Sequence, residues 1–447
     1  MAASKKAGTK KGGKQKPART SRPYRRRVVR LILLVAVLVG LLFALRPARI
    51  QWALRSGQQA LSEADARSAL ESFEAARELA PDDPEIHFWL ARAARKLGDP
   101  EGLRHHLDEA RRLGFLNQNR LRNEWRLFQA QTGNVSAAEP FLANMLMDPD
   151  DSVEACEAFT LGYCLNLNFD RARDLIDAWE ADHPEDYRPK FYRAQILAGN
   201  ESWADGEKSY RAVLELQPDD ARAKLGLAEC LLEQRSFDEV KGLLDEVLSQ
   251  QPDNVTALMR YARLAREQQD YSTAEEKLRR VVAVKEDHFE AQILLAKVLL
   301  ASDQAEDAAI LAQKLVNQWP DDLAAVYTLA QALRSVGKTA EAEKYFDHYA
   351  ELGDVLGELE RLKLEIQSSP SDIETRLRLG ELVMAHMSRE EGAAWLQSVL
   401  FMEPDHPIAN QRLAEYYSRM GNTELAQTFQ RRSGQSDSTE SQGTEQD

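Results

Sequence analysis

The sequence predicts an all-α solenoid, a row of antiparallel helix pairs stacked side by side, preceded by one apolar helix near the N-terminus. Three observations carry this. A 34-residue pattern that starts at Ala221 returns at Val255, Phe289 and Leu323 without a slip. Within each copy, small and apolar residues fall at positions 7, 8 and 11 and again at 20, 24 and 27. The first set is one face of a first helix and the second set one face of a second. Proline stands near the end of many copies, as Pro184, Pro218, Pro252, Pro320 and Pro404 do; it lacks an amide donor and disfavours helix in the residue before it, so it ends the second helix. A lone helix pair cannot bury its apolar face, whereas stacked copies can.

Taken in order, the chain opens with twelve Lys and Arg among Ala, Gly, Ser, Thr and Pro over residues 1–30. This tail cannot build a core and is expected to be disordered. The run LILLVAVLVGLLFAL follows, Leu31 to Leu45. Its fifteen residues cover about 22 Å as helix, against a hydrocarbon thickness of roughly 30 Å. Flanks reaching to 28 and 52, with Arg30 snorkelling and Trp52 at the far interface, extend it. Two alternatives stand: an uncleaved transmembrane anchor, or a signal peptide removed on export. The run ends FALRPA, without an Ala-x-Ala site, which favours the anchor. Twelve basic residues precede the run and three (Arg46, Arg49, Arg55) follow closely. The positive-inside rule then predicts a cytoplasmic tail and repeats on the extracytoplasmic side.

Helix pairs begin at about residue 50. Residues 50–152 hold three units, the third degenerate, with Pro140 inside its second helix. Residues 153–353 hold units four to nine. The period breaks at 354–372, read as one added helix (DVLGELERLKLEIQS) and a loop, and resumes with units ten and eleven at 373–432. Residues 433–447 carry no apolar side chain and predict a disordered acidic tail.

The unit resembles the tetratricopeptide repeat, with its W-x2-L-G-x2-Y…A-x3-F…P pattern. The copy at 255 offers Tyr261, Ala262, Ala265, Ala274 and Leu278; the copy at 323 offers Leu329, Ala330, Ala342 and Phe346. The resemblance implies a right-handed superhelix whose concave groove is lined by first-helix positions 2, 5, 9 and 12. Carried over residue by residue, those positions give Met259, Arg263 and Arg266 in one unit, Lys297 in the next, and Tyr327 and Arg334 in the third. Phe88, Arg92 and Arg95 repeat the theme nearer the N-terminus. The expected partner is a protein or an acidic peptide segment. The same residues can equally be solvated side chains paired with Glu267 or Glu290. The Lys and Asn clamp with which some members of the family hold a terminal carboxylate is missing, since Glu229 and Leu225 occupy the corresponding positions.

Charge and motifs exclude several other functions. Residues 1–62 hold 15 of the 58 Lys and Arg and no Asp or Glu, which leaves 43 basic against 72 acidic residues in the body. An acidic body argues against broad nucleic-acid binding. There is no Gly-rich phosphate loop, no H-E-x-x-H and no G-x-S-x-G, so neither an enzyme, a cofactor nor a metal is expected. His105 and His106 point about 100° apart on a helix and read as a solvated face. Cys156 and Cys164 stand eight residues apart on one predicted helix, too far for a disulfide, and Cys230 has no evident partner.

Overall fold

The computed structural model describes residues 44–440 apart from 64 and 150. The basic tail and nearly all of the apolar run at 31–45 lie outside the described residues, as do residues 441–447. Among the described residues there is no strand, and no helix is long and apolar enough to cross a membrane. Two units are each packed within themselves, one ending at Gln118 and one beginning at Asn119.

The first unit is built on two helix pairs. They are α1 (Arg46–Ser62) with α2 (Ala66–Leu79), and α3 (Pro84–Lys96) with α4 (Pro100–Arg112). Pro47, Pro84 and Pro100 open three of these helices, where a missing amide donor costs nothing. Leu54, Phe73, Ile86 and Leu90 form the shared core.

The second unit begins with α5 (Gln118–Gln131). Its partner helix is broken into α6 (Val135–Ala138), a 3-10 turn (Glu139–Phe141) and α7 (Leu142–Leu146). Pro140 sits in that turn, where it supplies no amide to an α-helical ladder. Six regular pairs follow: α8 (Ser152–Leu165) with α9 (Phe169–Asp182), α10 (Arg188–Gly199) with α11 (Trp203–Leu216), α12 (Ala221–Glu233) with α13 (Phe237–Gln250), α14 (Val255–Glu267) with α15 (Tyr271–Val284), α16 (Phe289–Ala301) with α17 (Ala305–Gln318), and α18 (Leu323–Ser335) with α19 (Thr339–Glu351). A single helix, α20 (Asp354–Ser368), separates these from α21 (Ile373–His386) with α22 (Arg389–Met402), and α23 (Pro407–Arg419) with α24 (Thr423–Glu440). α24 runs past Ser433, where composition predicted the start of a disordered tail. Once a helix is nucleated each further residue adds at little cost, and residues 433–440 contain no proline.

Three side-chain devices repeat with the period. Alanine fills position 8 in four successive copies (Ala228, Ala262, Ala296, Ala330), each fully buried. It packs in the same cluster as the residue at position 20, Val240 or Ala274, in the first two of those copies. Small side chains there let the two helix backbones close on each other. The residue before each first helix caps it: Asp220, Asn254, His288 and Asp322 accept from the amides of Ala223, Ala257, Ala291 and Ala325, for Asp and Asn roughly 1 kcal/mol apiece. The turn between the helices of a pair carries one residue in the left-handed region. It recurs every 34 residues, at Gly133, Leu167, Glu201, Arg235, Gln269, Asp303 and Gly337, five of the seven not glycine. Gly98 precedes Gly133 by 35, which locates a one-residue slip in phase between those two turns.

After α20 the chain turns back onto itself. Phe401 of α22 meets Phe128 of α5 edge-on at 5.4 Å. Leu167, in the turn after α8, packs on Leu359, Leu362 and Ile366 of α20 and on Leu379 of α21. Two fully or nearly fully buried arginines hold the same segment. Arg376 donates to Asn166 and to the Pro370 carbonyl oxygen (2.8 Å). Arg389 donates to the carboxylate of Asp322, and its guanidinium lies 3.8 Å from the Phe289 ring centre and 4.7 Å from that of Trp319. The α21–α22 pair is therefore tied both to the start of the second unit and to the turns before α16 and α18.

Candidate functional site, a groove along the first helices

The first helices α12 and α14 bring position 9 of one unit against position 9 of the next. Glu229 of α12 accepts from both Arg260 (2.8 Å) and Arg263 of α14, and Arg263 also pairs with Glu233 (2.7 Å). Burial raises the pKa of Glu229, but Arg260 and Arg263 outweigh it and hold the carboxylate below its ordinary value. Arg263 thus does not present a free charge; it belongs to an ion-pair network between neighbouring units.

The other expected groove residues divide. Arg266 is half-buried and reaches the exposed Glu267 at 3.0 Å. Lys297 is half-buried too, and among the described residues no carboxylate lies within ion-pair distance of it. Burial, then the neighbouring charge of Arg266, pulls its pKa below that of an ordinary lysine, with Asp322 opposing. Met259 packs half-buried on the core beneath. Tyr327 is 39% exposed, its ring 5.0 Å from that of Tyr349 and 6.0 Å from that of Phe346. Arg334 is exposed, with its guanidinium 5.1 Å from the Phe346 ring centre. Basic side chains and an aromatic cluster therefore follow one another along α14, α16 and α18, and among the described residues neither Lys297 nor Arg334 has a carboxylate within ion-pair distance.

The trio in the first unit is placed differently. Phe88, Arg92 and Arg95 were expected on an open concave surface, but Phe88 is 1% exposed and Arg95 not at all. The Phe88 ring stacks on Phe115 at 4.8 Å, and Arg92 covers it at 5.0 Å, an arrangement that excludes water from the aromatic face. These three are interior residues.

His106 corrects another expectation. It is buried, and its Nδ1 lies 3.2 Å from Nδ1 of His87, whose Nε2 lies 2.9 Å from the Pro81 carbonyl oxygen. Burial, then the charges of His105 and His87, pushes His106 down to about 4. His105 remains exposed. The partner of His106 lies on a different helix, so spacing within one helix could not reveal it.

The three cysteines are free; burial pushes Cys156 up to about 12 and Cys164 and Cys230 up to about 11. Such thiols are poor nucleophiles. Among the described residues no group of three or more His, Cys, Asp and Glu could hold a metal ion. Sequence reasoning missed the partners Glu229 and Glu233 and the buried ties through Arg376 and Arg389. Opposite charges at position 9 of successive units, Glu229 and Arg263, were a readable signal for the first; nothing in the period signals the second.

Models of the tetratricopeptide repeat match residues 54–113, 197–264, 232–298 and 293–354. No curated protein matches. Among solved structures, the chain is similar to YrrB, a TPR protein with an unusual peptide-binding site, at 17% identity over 40% of this chain and 92% of that one, with a TM-score of 0.33. It is similar to yeast Tom70 at 16% identity over 86% and 84% of the two chains, with a TM-score of 0.36. MamA from Desulfovibrio magneticus RS-1, residues 41 to the end, gives 18% identity over 37% and 94%, with a TM-score of 0.34. With paired helices in a 34-residue period and repeat models matching along it, the chain belongs to the tetratricopeptide-repeat family.

Proposed function

We propose that this protein is a non-enzymatic, membrane-anchored scaffold that captures an acidic segment of a partner protein along α14, α16 and α18 and helps assemble an envelope complex. The family supports the coarser statement, a protein-interaction scaffold with protein or peptide partners. The finer reading rests chiefly on Lys297, a half-buried ammonium beside Arg266 with no carboxylate partner among the described residues. A bound carboxylate would relieve the repulsion between these two cations. Tyr327 would offer an aromatic face one helix further on. First helices of successive units lie on the order of 10 Å apart and an extended peptide advances about 3.3 Å per residue, so acidic side chains about three residues apart suit the ladder.

The test is a labelled, capped peptide with glutamates three residues apart and one aromatic residue, titrated against the detergent-solubilised full chain. Binding should weaken with salt, because exposed charges are screened beyond about 8 Å at physiological ionic strength. The double reversal Arg266→Glu and Lys297→Glu should weaken it about tenfold or more, mainly through slower association. Unchanged binding in the double reversal would remove the acidic-partner reading. Anchoring is tested separately. Retention in the membrane fraction after alkaline extraction, with repeats open to protease on the extracytoplasmic side, is expected from residues 1–45. Release of a chain shortened by about 45 residues would instead favour the alternative, a soluble exported scaffold.

A further inference from the structure

A cleft of about 740 Å³ lies between the turn before α16 and the C-terminal helices α22 and α23. It stands apart from the groove and does not depend on it. Four carboxylates line it: Glu286, Asp287 and Glu290 on one side and Glu390 on the other. Tyr416, 7% exposed, lines it as well, and its hydroxyl has no hydrogen-bond partner among the described residues. Burial of the ring, then Glu390, Tyr417, Glu290 and Asp287, pushes that phenol up to about 12, so three carboxylates from two distant stretches of chain bear on one hydroxyl that opens to the cleft.

The cleft also contains bases, and their commitments decide its character. Arg389 is met by Asp322, which lies outside the lining, and Glu390 by Lys285 at 2.7 Å. Glu290 has His288 at 3.4 Å, a partner that is charged only when protonated. Glu286 and Asp287 are exposed and have no ion-pair partner among the described residues. Lys314 and Arg419 remain on the basic side, and Arg419 already lies on the face of Trp319 at 4.8 Å. The surplus is acidic, and the aromatic walls Trp319 and Phe289 already stack guanidinium groups. Such faces attract cations through the ring quadrupole.

We propose that this cleft is a second binding site, which takes an arginine or lysine side chain from a basic segment of a partner protein. The cation donates to the Tyr416 hydroxyl oxygen and to the carboxylates of Asp287, Glu290 and Glu390. The hydroxyl then gains a protein partner, and Asp287 and Glu290 gain a charge-assisted bond.

The probe is a labelled, capped Gly-Arg-Lys-Arg-Gly peptide, titrated by anisotropy against the detergent-solubilised full chain. The control is the same peptide with citrulline for arginine and acetyl-lysine for lysine. The charged peptide should bind and the neutral one should not. Asp287→Asn with Glu290→Gln should weaken binding about tenfold, and Tyr416→Phe about threefold. Because Glu286 and Asp287 are exposed, Glu286→Gln with Asp287→Asn tests the same idea in a variant whose fold is not at stake. The groove reversal Arg266→Glu with Lys297→Glu should leave this binding intact, which separates failure here from failure of the groove. The proposal is overturned if neither peptide binds, if the neutral peptide binds as well as the charged one, or if the carboxylate variants bind the charged peptide undiminished while melting as the parent does.

Discussion

The array from α10 to α19 and the fold-back segment from α20 to α23 are made of the same kind of helix pair but are held by different means. In the array every seam is local. Alanine at position 8 and apolar residues at position 24 are buried between neighbouring helices, and charged residues such as Glu229 and Arg263 pair from one unit to the next. In the fold-back segment, ties reach from Arg376 to Asn166 and from Arg389 to Asp322, far apart in sequence. Local seams make stability a sum over neighbours. Long-range ties make one segment answer to residues many units away, and they run through buried charge, which is costly unless its partner is present.

The largest effect is expected where that charge loses its partner. Arg389→Ala leaves Asp322 buried and unpaired, which should destabilise the second unit by roughly 3–5 kcal/mol. Hydrogen exchange should rise in α21 and α22 and at the start of α18 before it rises in α12–α15. Arg389→Met combined with Asp322→Asn, which keeps an N-cap on α18, should recover much of the loss. An even rise in exchange along the whole unit would erase the distinction between the two regions.

A core deletion in the array is the matching test. Leu278 of α15 is fully buried, and Leu278→Ala should cost about 2–5 kcal/mol through lost transfer energy and a cavity. The damage should remain in α14–α17 and spare the ties of Arg376 and Arg389. If exchange in α21 and α22 rises as much as beside the mutation, coupling is global and not between neighbours.

A third test concerns backbone approach. A Cβ on Gly162 of α8 would lie 2.1 Å from the Ala130 carbonyl oxygen of α5. Backbone cannot yield as a flexible side chain can, so Gly162→Ala should cost about 1–3 kcal/mol by overpacking, read as a lower Tm. A silent substitution would mean that the α5–α8 seam is loose.

What the sequence disclosed follows from the same contrast. Helix pairs, their period and the seams at positions 8 and 24 were legible because each depends on residues a fixed distance apart. The fold-back was not. Arg376 and Arg389 look like ordinary exposed helix residues until distant Asn166 and Asp322 are brought to them. For the candidate groove, the repeat positions named Lys297 and Arg263 alike, and only the structure shows that Arg263 is already paired with Glu229 and Glu233. The left-handed turn residues escaped notice because five of seven are not glycine.

The first unit adds a seam that responds to pH. His106 is held at about 4 in the folded chain against an ordinary 6.5, with burial the main cause. Between those values the unfolded chain binds the proton more readily. Stability is therefore complete above about 6.5 and falls as pH drops through that window toward 4. Against a His106→Leu variant, the parent should lose more Tm between pH 7 and pH 4. Parallel curves would show that the imidazole pair carries no pH response.

The smallest effect is the sharpest on the contrast, because one substitution is expected to change sign with region. Gln269 and Leu167 occupy the same turn position at φ of 62° and 54°. A left-handed backbone costs a residue with a Cβ roughly 1–2 kcal/mol, and glycine avoids this while giving back up to about 1 kcal/mol in unfolded-chain entropy. Gln269 is exposed, and its side chain makes no hydrogen bond among the described residues. Gln269→Gly should therefore stabilise the chain by a few tenths of a kcal/mol to about 1 kcal/mol. Leu167 is half-buried and packs on the cluster of Leu359, Leu362 and Ile366. Burying a whole leucine side chain is worth about 1.5–3 kcal/mol, so losing even part of that contact outweighs the relief of the turn. Leu167→Gly should lower Tm where Gln269→Gly raises it. If both raise it, Leu167 contributes little to the fold-back seam and the buried arginines hold that segment without it; if both lower it, the left-handed turns of the array are not strained.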